Sequence, residues 1–168
     1  MRIWKGEKMA VRVNERNVPD TQQNAYLRTA TKAKSLAIHT IKNCSNKSLF
    51  TIKRAITEKD GSNPSERYQE QITDEMVKSA IQIYKCIRRA NEIRVEDSKK
   101  NIDTRKREER KQLQERAKAY CNNLLDMLSL AKTLFHLRGR KVAYWTDKVT
   151  EVRDSINKWK ESDRKRYG

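Results

Sequence analysis

The stretch KVAYWTDKVTEVRDSINKWKESDRKRYG, residues 141–168, carries Val142, Trp145, Val149, Val152, Ile156 and Trp159 at intervals of 3, 4, 3, 4 and 3. That spacing returns to one side of a helix every two turns, so it predicts a helix with one narrow apolar seam. Nearly every residue between the seam positions is polar or charged. Such a rod is stable only with its seam against other apolar stripes. Its two tryptophans lie two heptads apart, marking core levels about 21 Å apart at 1.5 Å of rise per residue.

Three further stripes are present to meet that seam. The first is Tyr26, Ala30, Ala33, Ala37, Ile41 and Cys44, opened by Asp20 as an N-cap with Gln23 completing a capping box. Its alanines allow close approach of another backbone. The second is Ile72, Met76, Ala80, Ile83, Ile87 and Ala90, starting either at Asn63-Pro64 or at Thr73. The third is Leu113, Ala117, Tyr120, Leu124, Leu128, Ala131 and Phe135, widened by Leu125, Met127 and Leu134. Asp97-Ser98 supplies its start signal, and Gly139 suits a left-handed residue just past its end.

These signals predict an all-α antiparallel up-and-down four-helix bundle with helices near 20–46, 64–95, 98–138 and 141–163. Residues 1–19 read as a flexible basic arm, and EKDGSNPSER (58–67) as the core of a long connector. Gly and Pro number only four and two, too few for an all-β fold. Leu36 and Ile38 fall on opposite flanks of the first stripe; with Leu125 and Leu134 they suggest more buried surface than one bundle offers, and hence a homo-oligomer.

Charge carries the functional reading. The chain has 39 Lys and Arg against 22 Asp and Glu, a net +17. Solubility needs no such excess, so it speaks of partners: nucleic acid first, an acidic protein or anionic membrane second. The excess is uneven: +8 over 1–69, 0 over 70–96, +5 over 97–139 and +4 over 140–168. Residues 21–57 hold seven Lys and Arg and no Asp or Glu. Arg28, Lys32, His39 and Lys42 share one stripe there, opposite the alanines, with Lys34 nearby. Cations without acids in their own helix favour phosphate, although a solvated face is the bland alternative. Arg105, Arg107 and Lys111 open the third helix and form a second candidate patch, but Glu108 and Glu109 can pair with them. Arg164, Lys165 and Arg166 in the terminal DRKRYG form a third.

Motifs for catalysis are missing from the sequence. Gly6, Gly61, Gly139 and Gly168 stand apart and make no phosphate loop. Cys44, Cys86 and Cys121 are widely separated and read as buried free thiols of a reducing cytoplasm, not as zinc ligands. His39 and His136 have no neighbours that would make a base or a metal ligand. The expectation is a protein that is not an enzyme and uses no cofactor or metal. No segment approaches the roughly 20 apolar residues of a membrane span. An enzyme with a site assembled only in three dimensions, such as a nuclease, is the third-ranked possibility.

The segment YWTDKVTEVRDSINKWKESDRKRY (144–167) resembles the last helix of a family of small bacterial and phage four-helix-bundle proteins. These include the accessory variability determinant proteins of diversity-generating retroelements and the intervening-sequence proteins of ribosomal RNA genes. AIQIYKCIRRANEI (80–93) and CNNLLDMLSLAKTLFHLRGRKVAYW (121–145) look like the same family's second and third helices. The likeness spans about 30–167. It implies a bundle assembled as a positively charged, barrel-like homopentamer. It also implies a partner reverse transcriptase and its template RNA, with the cDNA as a further candidate. The role would be that of a non-catalytic accessory subunit in mutagenic cDNA synthesis, the polymerase site belonging to the partner. The alternative is a stand-alone RNA-binding bundle associated with ribosomal RNA.

Overall fold

The computed structural model describes residues 22–52, 65–95, 97–98 and 101–167. Four helices dominate: α1 (Gln22–Cys44), α2 (Ser65–Glu92), α3 (Thr104–Leu134) and α4 (Gly139–Tyr167). A 3-10 turn, Lys47–Phe50, follows α1, capped by the Asn46 side chain. Asp97–Ser98 (β1) and Asn101–Ile102 (β2) pair as a two-residue ladder between α2 and α3. The expected arm at 1–19, the Asp20 cap and the EKDGSNPSER loop up to Pro64 lie outside the described residues.

Each helix packs on two others: α1 and α3 both contact α2 and α4. The core lies along the axis between the four. Every seam residue of α4 named above is buried, with Trp145, Val149, Val152, Ile156 and Trp159 fully so. The α2 stripe is equally complete, from Ile72 to Ala90. On α3, Ala117, Leu124, Leu128, Ala131 and Phe135 are buried, while Leu113 and Tyr120 pack partly against them. Full burial of a large apolar side chain stabilises by about 1.5–3 kcal/mol, so these four stripes supply the main drive to fold.

Three local expectations are corrected. Leu36 is not a flanking residue; it is fully buried, whereas Ile41, placed in the core stripe, is 40% exposed. The inward face of α1 is rotated toward Thr29, Leu36 and Thr40, all fully buried. Next, α3 starts at Thr104, not at Ser98. Asp103 caps it by accepting from the Lys106 N–H at 3.2 Å, and Asp97-Ser98 enters the ladder instead. Finally, Gly139 is not a helix-ending residue. The third helix stops at Leu134 because Phe135 turns extended and bridges Ile52, and Gly139 opens α4. Between the two possible starts of α2, the described helix is already formed at Ser65.

Phe50 was not expected in the core. It is buried and meets Phe135 edge-on, centroids 5.3 Å apart. With the His136 N–H donating to Thr51 O at 3.2 Å, the connector after α1 is tied to the connector after α3.

Candidate nucleic-acid interface

The acid-free helix α1 runs beside α4, and side chains pair across their outer edge. Tyr26 meets Trp159 with centroids 5.5 Å apart. Thr29 Oγ1 donates to Ser155 O at 3.2 Å, and Lys32 Nζ donates to Ser155 Oγ at 3.2 Å. Lys148 Nζ donates to Ser35 Oγ at 3.1 Å. Trp145 Nε1 donates to the buried Thr40 Oγ1 at 3.1 Å, and the His39 ring meets Tyr144 edge-on at 5.3 Å. Apolar and hydroxyl groups sit below, and cations sit above at the water.

Lys32 belongs to this α1–α4 seam through Ser155, and Arg28 and Lys42 follow it along one side of α1, the three spanning about 21 Å at the helical rise. Lys32 and Lys42 are exposed and Arg28 half-buried. The seam also recruits Lys141 and Lys148 from α4, which sequence reasoning missed. Their signal was the spacing Lys141, Tyr144, Lys148 beside the apolar seam, and the same spacing brings in the exposed Glu151. His39 records the local field: partial burial first, then the charges of Lys148 and Lys141, lower its pKa from 6.5. Lys34 does not join them. It sits among Leu27, Ile38 and Ile41 on the side of α1 turned away from the core, all exposed.

The other two predicted patches come together where α3 begins and α4 ends. Arg107 donates to the Tyr167 carbonyl at 2.8 Å, joining the front of α3 to the tail of α4. A groove of about 540 Å³ opens there, lined by Arg107, Lys111, Lys160 and Arg164 among others. Much of its charge is already answered internally. Arg164 grips Glu161 through two nitrogens at 2.6 and 3.0 Å, and that hydrogen bond holds the Glu161 carboxyl below the usual carboxylate range. Lys160 pairs with Glu115, and Arg105 with Glu109 at 3.4 Å. Burial, with Lys111 close by, pulls the Lys160 ammonium below its ordinary pKa. Lys165 and Arg166 are exposed, Arg166 lying over the Tyr167 ring at 5.9 Å.

Arg110 lies in the charged run that opens α3 and looks solvated in the sequence. It is instead 3% exposed and bound to Asp163 through two nitrogens. It therefore serves the fold, not a ligand.

For a polyanion, the seam is the better site. Its α1 charges come from a helix without acids, α4 adds Lys141 and Lys148 along with Glu151, and the hydroxyl groups of Ser155 and Ser35 hold Lys32 and Lys148 in place. Counterion release rewards each phosphate so neutralised. Burial pushes the thiols of Cys44 and Cys121 up to about 12, far from the nucleophilic thiolate range. Among the described residues no group of three His, Cys, Asp or Glu could hold a metal ion, and no helix is long and apolar enough to cross a membrane.

Four helices around one core, with a cationic seam between the first and last, define a basic helical-bundle protein. No family model matches the chain, and neither a curated protein nor a solved structure does.

Proposed function

We propose that this protein is a nucleic-acid-binding, non-catalytic accessory subunit of a diversity-generating retroelement reverse transcriptase, supporting template-RNA-primed mutagenic cDNA synthesis. One observation carries the reading: α1 presents Arg28, Lys32 and Lys42 on one side with no acid in the helix, and α4 adds Lys141 and Lys148 to the same seam. The resemblance in 80–93, 121–145 and 144–167 supplies the biological setting. An antiparallel order of helices is supported by contacts that climb α1 as they descend α4, from Tyr26–Trp159 to Thr40–Trp145. Self-assembly is supported by Leu27, Ile38 and Ile41, 40–50% exposed on the outer side of α1, and the resemblance supplies the count of five.

The test is charge reversal of Arg28, Lys32 and Lys42 to Glu. Binding to single-stranded RNA should weaken, and its log–log salt slope should lose about 0.7 per phosphate contact removed. Thermal stability should change little. Trp159→Ala should do the reverse, costing about 3–5 kcal/mol with the charged seam untouched. Melting of the charge-reversed protein would place that stripe against protein rather than phosphate. Co-purification with a reverse transcriptase separates this role from that of a stand-alone ribosomal RNA-associated bundle, because the seam chemistry serves both.

A further inference from the structure

The cationic seam carries an aromatic ring where a purely electrostatic phosphate track needs none. Tyr144 is 56% exposed, more than any other large hydrophobic residue exposed on the protein among the described residues. Its placement is nonetheless fixed. His39 packs against it edge-on at 5.3 Å and 64°, and Lys148 Nζ lies 5.3 Å from the ring centroid. Each of those neighbours is itself held. The His39 ring also meets Trp145 at 5.4 Å and 87°, with Asn43 Nδ2 3.1 Å from its Nε2. Lys148 is anchored by Ser35.

An exposed aromatic ring costs free energy in water and is usually mobile. Here two residues, His39 edge-on and Lys148 over the ring, hold it at the solvent boundary. Resting on the nucleic-acid reading above, we infer that Tyr144 is a stacking platform for an unpaired base, with Lys148 and Lys141 taking the phosphates beside it. An extruded base offers a π-face of any sequence to such a ring, whereas in a duplex that face is covered by its neighbours. The seam is thereby assigned to single-stranded nucleic acid in preference to double-stranded. A π-face reads no sugar, so RNA and DNA single strands share the chemistry.

The test uses the full chain with Tyr144→Ala, Tyr144→Phe and Tyr144→Trp. Probes are a labelled oligouridylate, the matching oligothymidylate and an RNA duplex of equal length, read by fluorescence anisotropy across a salt series. Tyr144→Ala should weaken single-strand binding by about 5- to 100-fold, with an unchanged salt slope and unchanged duplex binding. Phe and Trp should restore it, because they keep the π-face without the hydroxyl. Loss on both single strands gives a platform indifferent to sugar; loss on one alone assigns that sugar to the site. Equal affinity of Tyr144→Ala and wild type for both single strands overturns the platform while leaving phosphate binding by the seam intact. So does an equal loss on the duplex. So does dissociation of protein copies with strand binding retained, which would make the ring part of a subunit interface. A wild-type protein that binds none of the three probes removes the nucleic-acid reading itself.

Discussion

Asp163 accepts from Arg110 Nε at 2.6 Å and from Arg110 Nη2 at 3.1 Å, in a site where the two residues are only 8% and 3% exposed. Gln114 donates a third bond to the same carboxylate at 2.8 Å. Arg110 Nη1 donates at 3.2 Å to both Ala90 O and Ile93 O at the end of α2, adding to the Ile93 N–H that Ala90 O already accepts at 3.3 Å. One guanidinium thus ties three helices together. Its plane also lies over Trp159 at 5.0 Å.

Removing one member of this pair should be severe. Arg110→Met and Asp163→Leu should each cost about 3–5 kcal/mol, because each removes one half of a buried ion pair. The double variant should be less destabilised than the two single losses added together. It will not return to wild type, since Ile93 O still loses the Arg110 donor, whereas Ala90 O keeps the Ile93 N–H. Urea unfolding of the four proteins of the cycle measures the coupling directly.

The two core tryptophans should respond differently to loss of the indole N–H. Trp145 Nε1 has Thr40 as acceptor, whereas the buried Trp159 Nε1 makes no hydrogen bond among the described residues. Trp145→Phe strands a buried hydroxyl; Trp159→Phe removes an unmet donor. Both changes delete the same volume, so Trp145→Phe should be the more destabilising by about 1–2 kcal/mol. Thermal melts of the two variants provide the comparison.

Much of this architecture could be read from spacing alone. The α4 seam and the α2 stripe are long, strictly periodic and flanked by polar residues, so one wheel position served for all their members. Helix α1 was harder. Its small residues occupy several directions, and only the packing partner decides that Leu36 turns inward and Ile41 outward. Arg110 was illegible for a related reason: a cation in a charged run looks solvated until Asp163, on another helix, is brought beside it. The cationic seam was half legible. The α1 cations showed themselves by the absence of acids, but Lys141, Tyr144 and Lys148 join them only through the pairing of α1 with α4.

The start of α4 offers a simple gain. Gly139 lies in helical backbone with open space where a side chain would go. Gly139→Ala should raise stability by about 0.4–1 kcal/mol through loss of unfolded-state freedom. Had this glycine been a left-handed helix end, the same change would lower stability. Chemical denaturation distinguishes the two signs.

His39 should leave a mark on acid stability. Its pKa in the folded protein is lowered from 6.5 by burial and by Lys148 and Lys141, while the unfolded ring keeps its ordinary value. As pH falls below 6.5 the unfolded chain takes up this proton first, so folding loses free energy there and keeps the full contribution above it. Tyr144, Trp145 and Asn43 are the other groups against the ring, and the Asn43 amide N–H suits an accepting, neutral Nε2. His39→Gln should therefore be less sensitive than wild type to a shift from about pH 7.5 to about pH 5.5, measured as the change in urea midpoint. Added polyphosphate should raise the His39 pKa, visible in its ring proton shifts.

The bridge between Ile52 and Phe135 has its own implication. It joins backbone from the two halves of the chain, so neither helical hairpin can finish its end of the molecule by itself. Expressed apart, each half would keep an aromatic side chain in water and an unpaired strand residue beside it. The protein should therefore melt in one cooperative step, and its halves should regain structure only when mixed.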